Sequence, residues 1–169
     1  VLEYCSGAQV AYVQSDEITI LLRNDQTHET TPFLGNRTQK ITSLTAATAA
    51  VAFSQALAAE LGLEARDGIR AIFDARVFVV PPAEVNNVFL WRQFDAFKNS
   101  VSTYAYWELA KKYGKKSAQN MLHGKSTAQK QELIFQELSI NFNNLPTHWK
   151  RGRCIVREVR EVPVVDLMP

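Results

Sequence analysis

An α+β fold, with a mainly antiparallel sheet and helices packed on one face, is the architecture this sequence predicts. Three observations lead there. Two β-prone runs, at 8–13 and 18–23, are separated by four polar residues, "QSDE", a spacing that suits a hairpin. Two long stretches with helical spacing follow, at 40–61 and 83–113. The order of elements is strands, helix, strand, helices, strand, without the regular alternation that a doubly wound parallel sheet requires.

The hairpin comes first and carries two adjacent acids, Asp16 and Glu17, in the middle of the apolar stretch "AQVAYVQSDEITILL". Burying carboxylates is costly unless cations or donors meet them, so the turn reading puts them at the sheet's tip, within reach of solvent and ligands. The polar segment "NDQTHETTPFLGNRTQ" reads as a loop. In "KITSLTAATAAVAFSQALAAEL" the residues Ile41, Leu44, Thr48, Val51 and Gln55 recur at helical spacing, with alanine for close packing. The run "GIRAIFDARVFVVPP" predicts a strand ended by two prolines. A second helix over 83–113 is closed by Gly114. "SAQNMLHG" is short, and "STAQKQELIFQEL" is a third helix in which Ser126 and Gln129 have capping-box spacing. The tail "RCIVREVREVPVV" is β-prone, with Pro163 at a strand end or edge.

With 169 residues, 46% of them hydrophobic, the chain is expected to form one domain around a core of its own. A net charge of +2 does not by itself announce a nucleic-acid binder, so partners must be argued from local sites. Cys5 and Cys154 lack metal-site or disulfide-framework spacing, which fits a reduced, cytoplasmic setting. No 18-residue apolar span or signal sequence is read in the chain, so no membrane association is expected. The chain begins "VLEYC", without methionine, and ends "DLMP", and is expected to be a piece of a longer protein, truncated at its N-terminus.

Paired acids at a sheet tip suit magnesium, which takes hard oxygen ligands, keeps several waters and is shared with substrate phosphates. Two such ions can bring a hydroxyl nucleophile to a phosphorus centre. A solvated turn is the plainer reading of the same residues. Arg37 and Lys40, at i and i+3, share a face at the start of the first helix, where free N–H groups also favour anions, readable as a triphosphate grip or as a solvated helix start with a flexible lysine. Arg92, Asp95 and Asn99 form a polar stripe on an aromatic-rich helix, readable as a lined cleft or as a surface Arg92–Asp95 pair. "HWKRGR" at 148–153 sets Lys150, Arg151 and Arg153 beside a turn, where they could touch a nucleic-acid backbone or simply be solvated. His28, His123 and His148 fall in expected loops without i, i+4 partners, so they read as surface histidines. Asp74 reads as a structural acid paired with a nearby arginine.

Taken in order, "YVQSDEITILL", "NRTQKITSLTAATAA", "IFDARVFVVP", "WRQFDAFKNSVSTYAYW", "QKQELIFQELSINFNNLP" and "KRG" make the chain resemble the tRNA(His) guanylyltransferases and the related Thg1-like proteins. The resemblance runs over nearly the whole chain. It implies a fold like the palm of nucleotide polymerases and a magnesium-dependent nucleotidyltransferase that extends the 5′ end of tRNA in the 3′–5′ direction, with two metal ions and with GTP and ATP as substrates. It implies Asp16 and Glu17 as the catalytic acids, with Asp16 the metal ligand, and Ser15, Arg37, Lys40, Arg92 and Asn99 as nucleotide-binding residues, Arg37 and Lys40 through the triphosphate. Arg92, Asp95 and Asn99 match polar positions of the second helix, and Lys130, Asn141 and Asn143 fall in the later pattern. Tetramers are the expected assembly. Where the eukaryotic enzymes carry His-Ile-Asn-Asn-Leu-Tyr-Asn, this chain has 97–103 as Phe-Lys-Asn-Ser-Val-Ser-Thr, which leans toward the branch associated with templated repair of tRNA 5′ ends. The family's first metal aspartate sits in a Phe-Asp-Gly-Arg segment before SDE, whereas "FDAR" at 73–76 follows it. Two other readings keep the same acids: a palm-type nucleotide cyclase, and a catalytically inactive nucleotide- or RNA-binding module.

Overall fold

The computed structural model describes residues 1–63 and 70–158. It contains β1 (Ala8–Gln14), β2 (Glu17–Leu22), α1 (Thr38–Glu60), α2 (Val85–Tyr113), α3 (Lys115–Leu122), α4 (Thr127–Leu138), α5 (Thr147–Arg151) and β3 (Arg153–Val156). The strands form one sheet in the order β2-β1-β3. The fold is α+β, as the order of elements predicts. The hairpin is tighter than the four-residue spacing suggests, because Gln14 and Glu17 belong to the strands and only Ser15 and Asp16 make the turn.

Two compact units divide the chain, the first comprising Val1–Ala11, Thr19–Val79 and Ile155–Pro169, the second Tyr12–Ile18 and Val80–Cys154. In the first, Cys5, Ala8, Phe33 and Ile41 are buried together, with Ile20 and Leu22 of β2 packed against them. Burial pushes the Cys5 thiol above its ordinary range. Gly7 is required there: its φ is +79°, and a Cβ would stand 2.6 Å from the Arg23 carbonyl oxygen.

α1 corrects the expectation that the chain holds no membrane-length apolar segment. Its 23 residues include an 18-residue window of mean hydropathy 1.4, only 17% of it buried, so by length and composition the helix could cross a bilayer. Alanine raises the mean while threonine and serine interrupt the run, and for that reason no unbroken apolar stretch is visible in the sequence.

The strand expected over 68–81 is also corrected. Residues 68 and 69 lie outside the described residues, and 70–80 carry no strand. The period-2 pattern is real, but a strand needs a neighbour's N–H and C=O groups, and the pattern leaves Ile72 93% and Val79 97% exposed. The segment is held within its own unit by the Ala71 N–H, which donates to Ser54 Oγ (3.1 Å), and by the Phe53 and Phe73 rings, edge to face at 5.8 Å. Asp74 and Arg76 pair at 3.3 Å, as the sequence suggests. Of the β-prone tail, β3 is formed, while Pro163 lies outside the described residues.

In the second unit α2 is the hub. Its Val101, Ala105 and Leu109, at i, i+4 and i+8, pack with Ala118 and Leu122 of α3, Ile134 of α4 and Phe142. α2 ends at Gly114, φ +83°, as predicted. The capping box of α4 is formed: the Gln129 N–H donates to Ser126 Oγ (3.3 Å) and the Ser126 N–H to Gln129 Oε1 (2.8 Å). Because Leu109 is fully buried at the helix junction, Leu109→Ala is expected to lower unfolding stability by about 2–5 kcal/mol. Chemical denaturation checks this.

Candidate functional site at the hairpin tip

Ser15 has φ +48°, unusual for a residue with a Cβ, so the two-residue turn holds a conformation that its surroundings must support. The support comes from α2. Arg92 Nε donates to Glu17 Oε1 at 2.6 Å, and a second guanidinium nitrogen donates to Glu17 Oε2, a two-pronged pair that fixes orientation as well as charge. The same guanidinium reaches Asp95 Oδ2 at 3.3 Å and stands 4.7 Å from the centroid of the Trp91 ring. Asn99 Nδ2 donates to that Asp95 oxygen at 3.4 Å. The sequence stripe Arg92, Asp95, Asn99 is therefore one connected network ending on Glu17.

With two carboxylates on it, Arg92 is held even more firmly in its charged form, chiefly through its hydrogen bond to Glu17. Its side chain is only 16% exposed. The Arg92–Asp95 pair that the stripe suggests exists, and the same guanidinium also holds Glu17 at the tip.

Asp16 is different. It is exposed and makes no hydrogen bond or ion pair with the described residues. Among the described residues no three His, Cys, Asp or Glu side chains form a metal-binding group. What the described residues offer a hard cation at the held turn is thus the Asp16 carboxylate. That fits magnesium, which commonly takes one or two protein carboxylates and completes its shell with water and substrate phosphates.

A further anchor lies beneath the tip. Tyr12, on β1, is buried, and its hydroxyl donates to the Arg151 carbonyl at 2.5 Å. Burial, with Cys154 and Glu17 nearby, pushes its phenol above the ordinary range. Gly152, φ +73°, lies so close to the Val13 carbonyl that no side chain fits. α5, a helix of five residues, was not legible in the sequence; it takes up His148, expected in a loop.

Arg37 and Lys40 belong to the first unit. Arg37 is the N-cap residue of α1, its Nε donating to the Leu34 carbonyl at 3.3 Å, and Lys40 is exposed in the first turn. The helix start has no acidic residue and no side-chain cap, leaving its N–H groups open to an anion. Together they border an open depression of about 410 Å³. Lys130 donates to Ser102 Oγ at 2.9 Å, and Asn141 caps a short turn by accepting from the Asn143 N–H at 3.0 Å.

Residues 1–81 match the family model described as tRNAHis guanylyltransferase, and residues 83–166 the one described as Thg1 C terminal domain. A solved structure of a bacterial tRNA(His) guanylyltransferase (Thg1)-like protein in complex with ATP is 35% identical, with a TM-score of 0.82 over 98% of this chain and 70% of that one. The chain belongs to the tRNA(His) guanylyltransferase (Thg1) family. A probable tRNA(His) guanylyltransferase of Drosophila melanogaster is 32% identical over 152 residues, 88% of this chain and 51% of that protein, so the chain spans about half the length of that relative. The crystal structure of the Saccharomyces cerevisiae enzyme, at 24% identity and a TM-score of 0.75, shares the fold.

Two measurements test this geometry. A double-mutant cycle over Glu17→Gln and Arg92→Gln is expected to give a coupling of about 1 kcal/mol, at the upper end for partly exposed pairs because the contact is two-pronged. Tyr12 is raised in the folded chain, so its contribution is intact below the unfolded phenol value near 10 and is lost as pH rises through the folded value. Stability should therefore fall above about pH 10, and less steeply in Tyr12→Phe, by denaturation measured across that range.

Proposed function

We propose that this chain is the catalytic part of a magnesium-dependent nucleotidyltransferase that adds GTP, or template-matched nucleotides, to the 5′ end of tRNA in the 3′–5′ direction. The observation that carries this reading is Asp16: an exposed carboxylate, without a side-chain partner among the described residues, on a turn held by the Glu17–Arg92 pair, in a chain that belongs to this family. ATP and GTP as substrates are supported by the solved relatives, both bacterial Thg1-like proteins, one in complex with ATP and one with GTP. The family resemblance supports a homo-oligomer of four copies. Free Cys5 and Cys154 support a reduced, cytoplasmic setting.

Asp16 would hold the magnesium ion, which when bound supplies Lewis-acid stabilisation of charge on the phosphates. Glu17 keeps the turn in place through Arg92, a positioning role within the catalytic pair expected from the sequence. Arg37 and Lys40, with the open N–H groups of α1, would bind triphosphate oxygens. The 5′-phosphate of the RNA attacks the α-phosphorus of the nucleotide and pyrophosphate leaves. The 3′-hydroxyl of GTP then attacks the activated 5′-phosphorus, losing its proton as the nucleoside monophosphate departs.

The test uses the full-length protein with labelled GTP and a tRNA lacking its 5′ nucleotide. Asp16→Asn is expected to reduce label transfer more than ~100-fold with unfolding stability unchanged, since even residues that only orient a metal ligand cost about 10–100-fold when lost. Full transfer by Asp16→Asn would sink the assignment. Absence of transfer by the unaltered protein, with nucleotide still bound, would point to an inactive binding module. Lys40→Ala should raise the KM for GTP several-fold with a smaller effect on kcat, and an unaltered KM would remove Lys40 from the site.

A further inference from the structure

Within the first unit, the segment 70–79 keeps the two-residue period of a strand although it lacks a partner strand among the described residues. Ala71, Phe73 and Ala75 are half-buried, whereas Ile72, Asp74 and Arg76, alternating with them, are exposed. The Ala71 N–H on Ser54 and the Phe73 ring against Phe53 tie the odd-numbered side to α1. Past Ala75 that cover ends, and Phe78 and Val79 are 63% and 97% exposed. Among the described residues the peptide groups of 72–79 have no backbone hydrogen-bond partner. A β-prone run with bare N–H and C=O groups and apolar side chains in water is a template for a further strand.

The segment itself says which strand fits. Residues 72–78 read Ile-Phe-Asp-Ala-Arg-Val-Phe, apolar at both ends with an acid and a base flanking Ala75. An antiparallel copy centred on Ala75 sets Asp74 opposite Arg76, Phe73 opposite Val77 and Ile72 opposite Phe78, each pair occurring twice about the two-fold axis. Moving the centre one residue either way keeps the faces but puts Asp74, or Arg76, opposite itself, and like charges directly opposite are destabilising. A one-residue slip in pairing turns the tethered side outward. Charge therefore selects the register centred on Ala75.

We propose that 70–79 pairs, antiparallel and in this register, with the same segment of a second copy of the chain. The pairing supplies partners for peptide groups that have none within the described residues, and it brings Val79, almost fully exposed in one copy, opposite Ala71 of the other. Asp74 and Arg76 already pair at 3.3 Å within one chain, and with their side chains 83% and 86% exposed they are open to the opposite strand, so the two-fold axis makes a ring of four alternating charges. Such an interface is isologous and closes at two copies, since it uses one edge from each. It does not rest on the reading of Asp16, and label transfer by Asp16→Asn has no bearing on it.

The experiment uses the full-length protein carrying Cys154→Ser, which removes the exposed thiol, and Ala75→Cys, whose two copies face each other at the axis. Mild oxidation is expected to give a disulfide-linked dimer that the Cys154→Ser parent does not give. Adding Asp74→Arg or Arg76→Asp alone should slow the cross-link roughly tenfold, and mixing the two variants should restore it, because each then meets the opposite charge. Ile72→Cys, which faces Phe78 rather than itself, should cross-link far more slowly than Ala75→Cys. Equal rates for Ile72→Cys and Ala75→Cys, or rates indifferent to the charge variants, overturn the proposal. Absence of any cross-linked dimer also overturns it, and protection of the 72–79 amides from hydrogen exchange in that case assigns the edge to another strand.

Discussion

The geometry of the candidate site depends on one contact, the two-pronged hydrogen bond from Arg92 to Glu17. Positive φ suits a two-residue hairpin turn, but held by serine rather than glycine it carries a cost that the surroundings must offset. Anchoring it to α2 gives the turn a defined position, because α2 is itself fixed by the buried Val101, Ala105 and Leu109. The adjacent acids thus divide their labour. Glu17 is spent on position, and Asp16, with no side-chain partner among the described residues, can meet a cation.

Much of this was legible in the sequence where the determinants are local. The spacing of Ser126 and Gln129 specified a capping box, Gly114 specified the end of α2, and the QSDE interval specified a hairpin. These are interactions between residues a few positions apart, and pattern alone contains them. What the pattern did not contain were relations between distant residues. Glu17 and Arg92 are 75 positions apart, and nothing in either neighbourhood announces the other. The stripe Arg92, Asp95, Asn99 was visible on the helix, but its target was not.

The two corrections have the same origin. The alternation of 70–80 is a faithful strand pattern, yet strand is a property of a pair of segments, and no strand pairs with this one among the described residues. In α1 the alanine content that suits close packing also raises mean hydropathy to that of a membrane segment, an ambiguity between two solvents that composition cannot separate. α5 is too short to show periodicity, so its tryptophan was seen only as part of a basic cluster. Its position beside Ser15 emerges from the Tyr12 and Ser100 hydrogen bonds that tie the turn down.

The most direct test of the division of labour between the two acids is a titration with Mn²⁺, a paramagnetic stand-in for Mg²⁺, followed through the backbone amide resonances in the presence of a nucleoside triphosphate. The account predicts broadening centred on Asp16, and in Glu17→Gln the same centre with an affinity reduced about tenfold or more, because the ligand remains while its support is lost. Broadening centred elsewhere, or an affinity indifferent to Glu17, would contradict it.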